Sequence, residues 1–265
     1  MEPFAALAYA AVGACAGLLA GLLGIGGGIV IVPALLVLLP AFGADSAWTA
    51  HQAVATSLAV VAAAGAASAR SHHRRGAVRW WLWARLVPGL LGGAAAGAVI
   101  AGWLPGLWLQ RLFAVFLLYS GVRLWRASTA ATSARPLPGP AATTATGGAI
   151  GALSAVLGIG GGTLLVPYMA RHGVSMHQAV GTSSACGVPL ALAGTLAFVV
   201  TGWDRAGLPA HSLGFVLWPA ALAIAVTAVP FATIGARLAH RLPTATLRRV
   251  FAVVLLVVGV RLAVS

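Results

Sequence analysis

Hydrophobic residues in this chain come in long runs, separated by short polar or glycine-rich stretches. Runs of about 20 apolar residues, the length that a helix needs to cross a bilayer, recur along the whole sequence. They predict membrane helices at about residues 4–22, 48–69, 84–102, 107–124, 178–201, 213–239 and 246–263, with shorter apolar pieces at 29–39, 147–157 and 163–170. Because no basic segment precedes residues 4–22, we expect a first membrane helix there and no cleaved signal peptide. The pattern is that of an all-α, polytopic membrane protein with about 8–10 membrane segments.

Two strings occur twice and indicate an internal duplication. Gly-Ile-Gly-Gly-Gly stands at 24–28 and at 158–162, and Val-Pro follows each copy at 32–33 and 166–167. His-Gln-Ala-Val-x-Thr-Ser stands at 51–57 and 177–183, and eight extra residues precede it in the first copy. The predicted division is a first transmembrane repeat over 1–126, a linker rich in Ala, Ser, Thr and Pro over 127–142, and a second transmembrane repeat over 143–265.

Composition agrees with a membrane protein. The chain is 60% hydrophobic and 7% charged, whereas a soluble domain carries about 25% charged residues. Its 16 basic residues are all Arg and face only Glu2, Asp45 and Asp204, which gives a net charge of +13. In a soluble protein this excess would suggest nucleic acid. Here the arginines lie between apolar runs, so we interpret them as a topology signal and expect no nucleic-acid partner.

The positions of the arginines predict how the two halves are oriented. If each half crosses the membrane an odd number of times from an outside N-terminus, 13 arginines fall inside, against Arg111, Arg205 and Arg261 outside. The inner set is Arg70, Arg74, Arg75, Arg79, Arg85, Arg123, Arg126, Arg135, Arg171, Arg237, Arg241, Arg248 and Arg249, with residues 70–79 expected as a basic loop. An even number of crossings gives at best 10 against six. Since basic residues concentrate on the cytoplasmic side, we expect two repeats of inverted topology with glycine-broken helices.

The glycine strings have a specific chemistry. Consecutive glycines stop a helix, and in hydrocarbon such a break is stable only where it is buried in protein or lines a cavity. The helix that follows begins with unpaired N–H groups, and successive glycine N–H groups can hold an anion. Two breaks that face each other near the middle of the bilayer therefore predict a pocket for a small anion.

The candidate substrate-binding residues are the glycines of the first string and the polar residues of the second: Gly24, Gly26, Gly27, Gly28, His51, Gln52, Thr56, Ser57, Gly158, Gly160, Gly161, Gly162, His177, Gln178, Thr182 and Ser183. Other roles stay open. Glycines permit close helix packing, which we expect for Gly92, Gly93 and Gly97. Histidines at a helix start also suit capping or interfacial positions, and hydroxyls also bond back to their own helix.

Other kinds of chemistry are not expected. All three carboxylates lie outside the predicted spans, so no acid–base pair or Ser-His-Asp set is predicted within the membrane, and we expect no enzyme activity. No Cys/His spacing is typical of a metal site, and no cofactor is expected. Cys15 and Cys186 fall in apolar segments, where we expect buried packing residues without a disulfide.

The paired strings resemble those of the TauE/SafE family of sulfite exporters, and the resemblance covers essentially the whole chain. It implies a multi-pass transporter of the bacterial inner membrane that moves sulfite, sulfoacetate or related organosulfonates outward without a bound cofactor. Its partners would be a small anionic substrate and the lipid bilayer, and the sequence is compatible with a homodimer. We expect export by alternating access. Two alternatives stay open, namely an anion channel and a membrane scaffold or assembly factor with no flux of its own.

Overall fold

A computed structural model describes residues 3–24, 26–43, 47–126, 136–239 and 244–264, which form ten helices and one two-stranded hairpin. The elements are α1 (Pro3–Leu23), α2 (Gly28–Ala41), α3 (Thr49–His73), α4 (Trp80–Trp103), α5 (Gly106–Arg126), α6 (Pro140–Val156), α7 (Gly162–Arg171), α8 (Met176–Gly202), β1 (Ser212–Leu213), β2 (Val216–Leu217), α9 (Trp218–Leu238) and α10 (Thr244–Val264). In these ranges, α1, α3, α4, α8 and α9 are long and apolar enough to cross a membrane, and α2 is a shorter apolar helix. The predicted all-α, polytopic fold is confirmed.

Several boundaries differ from the predicted ones. Helix α3 continues to His73, so the basic loop is shorter than expected and turns at Gly76, whose φ is 68°. Helix α6 begins at Pro140, inside the predicted linker, because proline suits the first turn of a helix. Residues 212–217 form a hairpin instead of the start of α9. Most of the linker, residues 127–135, lies outside the described residues, as do Glu2, Asp45, Arg135 and Arg241.

The largest helix–helix contacts join one half of the chain to the other. α1 packs on α9, α4 on α6, α3 on α8 and α5 on α10. Helices with the same place in the two halves run antiparallel. In the α3–α8 pair, the later residue Gly65 of α3 lies beside the earlier residue Val188 of α8, and the earlier Leu58 lies beside the later Gly194. Helices α5 and α10 are antiparallel as well. Antiparallel equivalents result from a pseudo-two-fold axis in the membrane plane, so the inverted topology predicted from the arginines is confirmed.

Glycines spaced by four bring two of these helix pairs together. They are Gly13, Gly17 and Gly21 in α1, and Gly89, Gly93 and Gly97 in α4. A Cβ atom at any of them would collide with the main chain of α9 or α6. This is the small-residue packing of membrane helices. The packing role predicted for Gly93 and Gly97 is confirmed, whereas that for Gly92 is wrong because nothing lies within 4 Å of its Cβ position.

The outward faces of the bundle are apolar. Large side chains such as Leu196, Val200 and Val226 remain 64%, 74% and 72% exposed, which suits contact with lipid tails. Cys15 belongs to this surface, because Gly13 and Gly17 turn the opposite side of α1 toward α9. The prediction that Cys15 is buried is therefore wrong. Cys186 is buried, and both thiols are free.

Candidate functional site

Each glycine string forms a tight turn that starts a short helix. Gly24, Gly26 and Gly27 have φ values of 67°, 78° and 75°, and Gly158 and Gly161 have φ values of 68° and 74°. Such left-handed conformations favour glycine. Gly27 and Gly161 immediately precede α2 and α7. The two strings thus share left-handed backbone at their first and fourth positions, whereas Gly26 is left-handed and its equivalent Gly160 is not.

The two turns contact each other. A Cβ atom at Gly26 would stand 2.8 Å from the Cα atom of Gly160, and one at Gly28 would stand 2.9 Å from the Cα atom of Ile159. Real Cβ atoms essentially never approach so closely. Glycine is therefore required at these places for the contact itself.

The two candidate serines bind the glycine turns across the interface between the halves. The hydroxyl of Ser57 donates a hydrogen bond of 2.8 Å to the carbonyl of Gly158, and that of Ser183 donates one of 3.1 Å to the carbonyl of Gly24. Both serines are fully buried. A serine hydroxyl has one proton to donate, so in this conformation neither serine has a donor left for an anion.

The two candidate threonines also bind backbone across the halves. Thr56 accepts a hydrogen bond of 3.0 Å from the backbone N–H of Leu217, just before α9. Thr182 accepts one of 2.9 Å from the backbone N–H of Arg79, just before α4. Leu217 and Arg79 thus occupy equivalent positions in the two halves.

His51 and Gln52 lie at one end of the molecule, which we call the Trp48 face and define by Trp48 and residues 203–217. Nε2 of His51 lies 3.0 Å from the carbonyl of Leu104, and its ring stacks on Phe215 at 5.0 Å between centroids. Nε2 of Gln52 donates a hydrogen bond of 3.2 Å to Oγ of Ser212. Both His51 and Gln52 are fully buried, so residues 203–217 cover the start of α3.

His177 and Gln178 lie at the opposite end, the basic face, which we define by residues 70–79 and 171–178. His177 is exposed and Gln178 is half-buried. The side-chain oxygen of Gln178 accepts hydrogen bonds from Nε of Arg79 at 2.8 Å and from Oγ of Ser175 at 3.1 Å. The two copies of the His-Gln pair therefore have different surroundings.

A very small cavity of about 10 Å³, roughly the space of one water molecule, lies between the glycine turns. It is lined by Ala20, Gly24, Gly26, Val61, Gly65, Ser68, Gly160, Ser184 and Gly187. The Ser68 hydroxyl donates a hydrogen bond of 3.1 Å to the Ser184 hydroxyl. Among the sequence-predicted residues, the cavity contacts only Gly24, Gly26 and Gly160. The histidines, glutamines and threonines are not part of its lining.

Sequence reasoning missed Ser68, which lies outside the shared strings. Counted from those strings, its counterpart in the second half is Gly194, so the repeat carries no signal for it. Three further hydroxyls near the second turn have buried oxygen atoms without a hydrogen-bond partner among the described residues: Ser154, Thr163 and Tyr168. Their counterparts in the first half are Ala20, Ile29 and Ala34. These three unpaired hydroxyls therefore all come from the second half.

Comparisons with known proteins cover nearly the whole chain. The profile described as "Sulfite exporter TauE/SafE" matches residues 9–262. A probable membrane transporter protein of Haemophilus influenzae is 34% identical over 95% of this chain and 95% of its own length. Another, of Xylella fastidiosa, is 30% identical over 94% of this chain and 91% of its own. A third, of Methanocaldococcus jannaschii, is 25% identical over the same shares. No solved structure matches the chain.

The inverted repeat and the paired glycine turns are consistent with the family that this profile describes. The apolar helices and the names of the relatives identify a multi-pass membrane transporter. The chain belongs to the sulfite exporter TauE/SafE family.

Proposed function

We propose that this protein exports a small sulfur-containing anion, such as sulfite, sulfoacetate or a related organosulfonate, across the bacterial inner membrane by alternating access. The observation that carries the proposal is the contact between the two glycine turns at the interface of two inverted halves. A transporter of this design binds its substrate where broken helices of the two repeats meet. The proposal includes no catalytic step and no cofactor.

The backbone supplies the donors for the anion. The N–H groups of Gly160, Gly161 and Gly162 have no backbone acceptor among the described residues. Such groups at a helix start bind oxyanions through hydrogen bonds and through the helix dipole. We assign the equivalent role to Gly26, Gly27 and Gly28 in the first half. In this proposal Ser57 and Ser183 reach the anion only after their bonds to the glycine carbonyls break.

The two faces support alternating access because they differ in accessibility. On the Trp48 face, His51 is buried beneath Phe215, which is itself fully buried. On the basic face, His177 at the equivalent position is exposed. Positive residues concentrate on the cytoplasmic side, so the basic face is the inner one. We assign this conformation to the state of the proposed cycle that is closed on the outside, since the start of α3 is buried and the start of α8 is exposed.

Export of an anion needs no coupling ion in principle. A membrane potential that is negative inside contributes about 2.3 kcal/mol per charge per 100 mV to the outward movement of an anion. In the described part of the chain, the single carboxylate is Asp204, which follows α8 on the Trp48 face. This composition favours uniport over sodium coupling through acidic side chains.

Uptake of labelled sulfite into proteoliposomes tests the function. We expect saturable flux and exchange between internal and external label, since a carrier must bind its substrate to change conformation. Flux that rises linearly with concentration, without exchange, would favour a channel. If neither sulfite nor sulfonates move, and no anion raises the melting temperature, the scaffold alternative is correct.

A further inference from the structure

Arg79 and Leu217 hold the same structural position on opposite faces. Each donates its backbone N–H to the threonine of the other half's second string, Arg79 to Thr182 at 2.9 Å and Leu217 to Thr56 at 3.0 Å. Their side chains differ completely. On the Trp48 face the position is a buried leucine, and on the basic face it is a half-buried guanidinium.

The side chain of Arg79 is fixed in place. Its Nε donates a hydrogen bond of 2.8 Å to the side-chain oxygen of Gln178, which Ser175 also holds. The main chain is fixed as well, because Gly181 lets the backbone of Ala77 pack directly on α8. A guanidinium held through Nε keeps its terminal nitrogens in a rigid fork that fits two oxygens of an oxyanion.

No carboxylate in the described ranges lies on the basic face to neutralise this charge. Arg79 differs in this respect from arginines that stabilise a fold through an ion pair. The neighbouring arginines have other arrangements, since Arg75 donates to the main-chain and side-chain oxygens of Ser71 and Arg85 lies over the ring of Trp81.

We infer that Arg79, held by Gln178, is an oxyanion-binding site at the inner mouth and the first contact of the substrate on its way to the glycine turns. This inference rests on the proposed export function and deepens it, since it explains which face receives the anion. The apolar Leu217 at the equivalent place offers no such site on the outside. The ligand chemistry is a sulfite or sulfonate group with at least two free oxygens. A lipid phosphate offers the same chemistry, so the test separates the two.

The test is the concentration dependence of sulfite flux in proteoliposomes made of phosphatidylcholine alone. Arg79→Gln should raise KM at least about tenfold, the loss expected for one charge-assisted hydrogen bond. The maximal rate should stay within about twofold, because the glycine turns are untouched. Arg79→Lys should recover part of the affinity. The matched controls are Arg74→Gln on the basic face and Arg85→Gln in the following helix α4. Both change exposed arginines and should leave KM unchanged.

An unchanged KM in Arg79→Gln would overturn the proposed site. An equal rise of KM in the two controls would also overturn it, because the effect would then come from surface charge in general. A defect that occurs only when phosphatidylglycerol is added would overturn it in favour of lipid binding. Equilibrium binding of labelled sulfite in detergent separates this inference from the function. Binding by the wild type that is lost in Arg79→Gln, without flux, would overturn export and retain the site, whereas no binding by the wild type would overturn both.

Discussion

The hydroxyl of Ser183 donates a hydrogen bond to the carbonyl of Gly24, across 159 positions of sequence and across the boundary between the two halves. Ser57 makes the same bond to Gly158 in the opposite direction. Each half therefore holds the glycine turn of the other, so that the paired turns have the geometry of a single unit. Any rocking of one half against the other must stretch or exchange these two bonds.

Removal of these hydroxyls should destabilise the protein. Ser57→Ala or Ser183→Ala leaves a buried glycine carbonyl without its partner, at a cost of about 1–3 kcal/mol for each variant. The melting temperature in detergent should fall for both. Thr195→Ala is the matched control, because its hydroxyl bonds only to Ala191 of its own helix. Equal melting temperatures for the serine variants and the wild type would show that the cross-half bonds contribute nothing.

The second glycine turn can be tested at Gly161. Its φ of 74° makes an alanine unfavourable by about 1–2 kcal/mol, and the nearest atoms to a Cβ are the flexible ends of Leu190 and Leu165. We expect Gly161→Ala to insert and fold but to lose most sulfite flux, and Gly161→Val to abolish it. The change Gly27→Val is harsher, since a Cβ there meets the carbonyl of Ala16 at 2.7 Å.

Gly76→Ala is the control for Gly161→Ala. Gly76 also has a positive φ, 68°, but nothing lies within 4 Å of its Cβ position. Strain alone should therefore affect both variants alike, whereas loss of flux should be confined to Gly161→Ala. Equal flux in the two variants would contradict the assignment of the anion to the turns.

We predict that Ser154 contributes to sulfite binding and that its buried hydroxyl destabilises the protein. Its hydroxyl is fully buried, lies 3.5 Å from the Cβ position of Gly161, and has no partner among the described residues. A buried polar group without a partner costs about 1–3 kcal/mol. We expect Ser154→Ala to keep or raise the melting temperature while it lowers the affinity for sulfite. A lower melting temperature together with unchanged transport would show that the hydroxyl has a structural role instead.

The sequence predicted those features that are repeated or periodic. The apolar runs located the helices, the two glycine strings located the turns, and the arginine count gave the inverted topology. Each of these signals lies in a short stretch of sequence or is repeated in both halves, so it can be recognised without knowing which residues are in contact. The meaning of the second string was not accessible in this way. Thr56, Ser57, Thr182 and Ser183 bond to backbone of the other half, and sequence spacing carries no information on such partners.

Differences between the halves were also hard to predict. The eight extra residues of the first half lengthen α2 relative to α7 and provide the loop that carries Trp48. Trp48 then donates to the carbonyl of Ala206 and contacts Arg205, which holds the 203–217 connection in place. A repeat analysis treats such residues as an insertion and therefore predicts nothing about their contacts. Ser68 was missed for a different reason, because its counterpart in the second half is Gly194 and carries no hydroxyl.

Packing between α1 and α9 should depend on Gly17. A larger side chain there collides with the main chain at Ala228, and overpacking costs about 1–3 kcal/mol or more. We expect Gly17→Leu to lower the melting temperature and the yield of folded protein. Gly92→Leu, on an open surface of α4, should change neither quantity. The comparison fails if both variants lose folded protein to the same extent, because the loss would then come from leucine at any helical glycine.

The difference between the two faces should be visible in cysteine labelling. In a background with Cys15→Ala and Cys186→Ala, His177→Cys should react rapidly with a membrane-impermeant maleimide in inside-out vesicles, because His177 is exposed on the basic face. His51→Cys should stay unlabelled from either side, because Phe215 covers it. Adding Phe215→Leu should open the Trp48 face and allow His51→Cys to react from the outside. Labelling of His177→Cys in right-side-out vesicles would reverse the assigned orientation and with it the proposed direction of transport. Rapid labelling of His51→Cys without Phe215→Leu would show that the Trp48 face opens spontaneously.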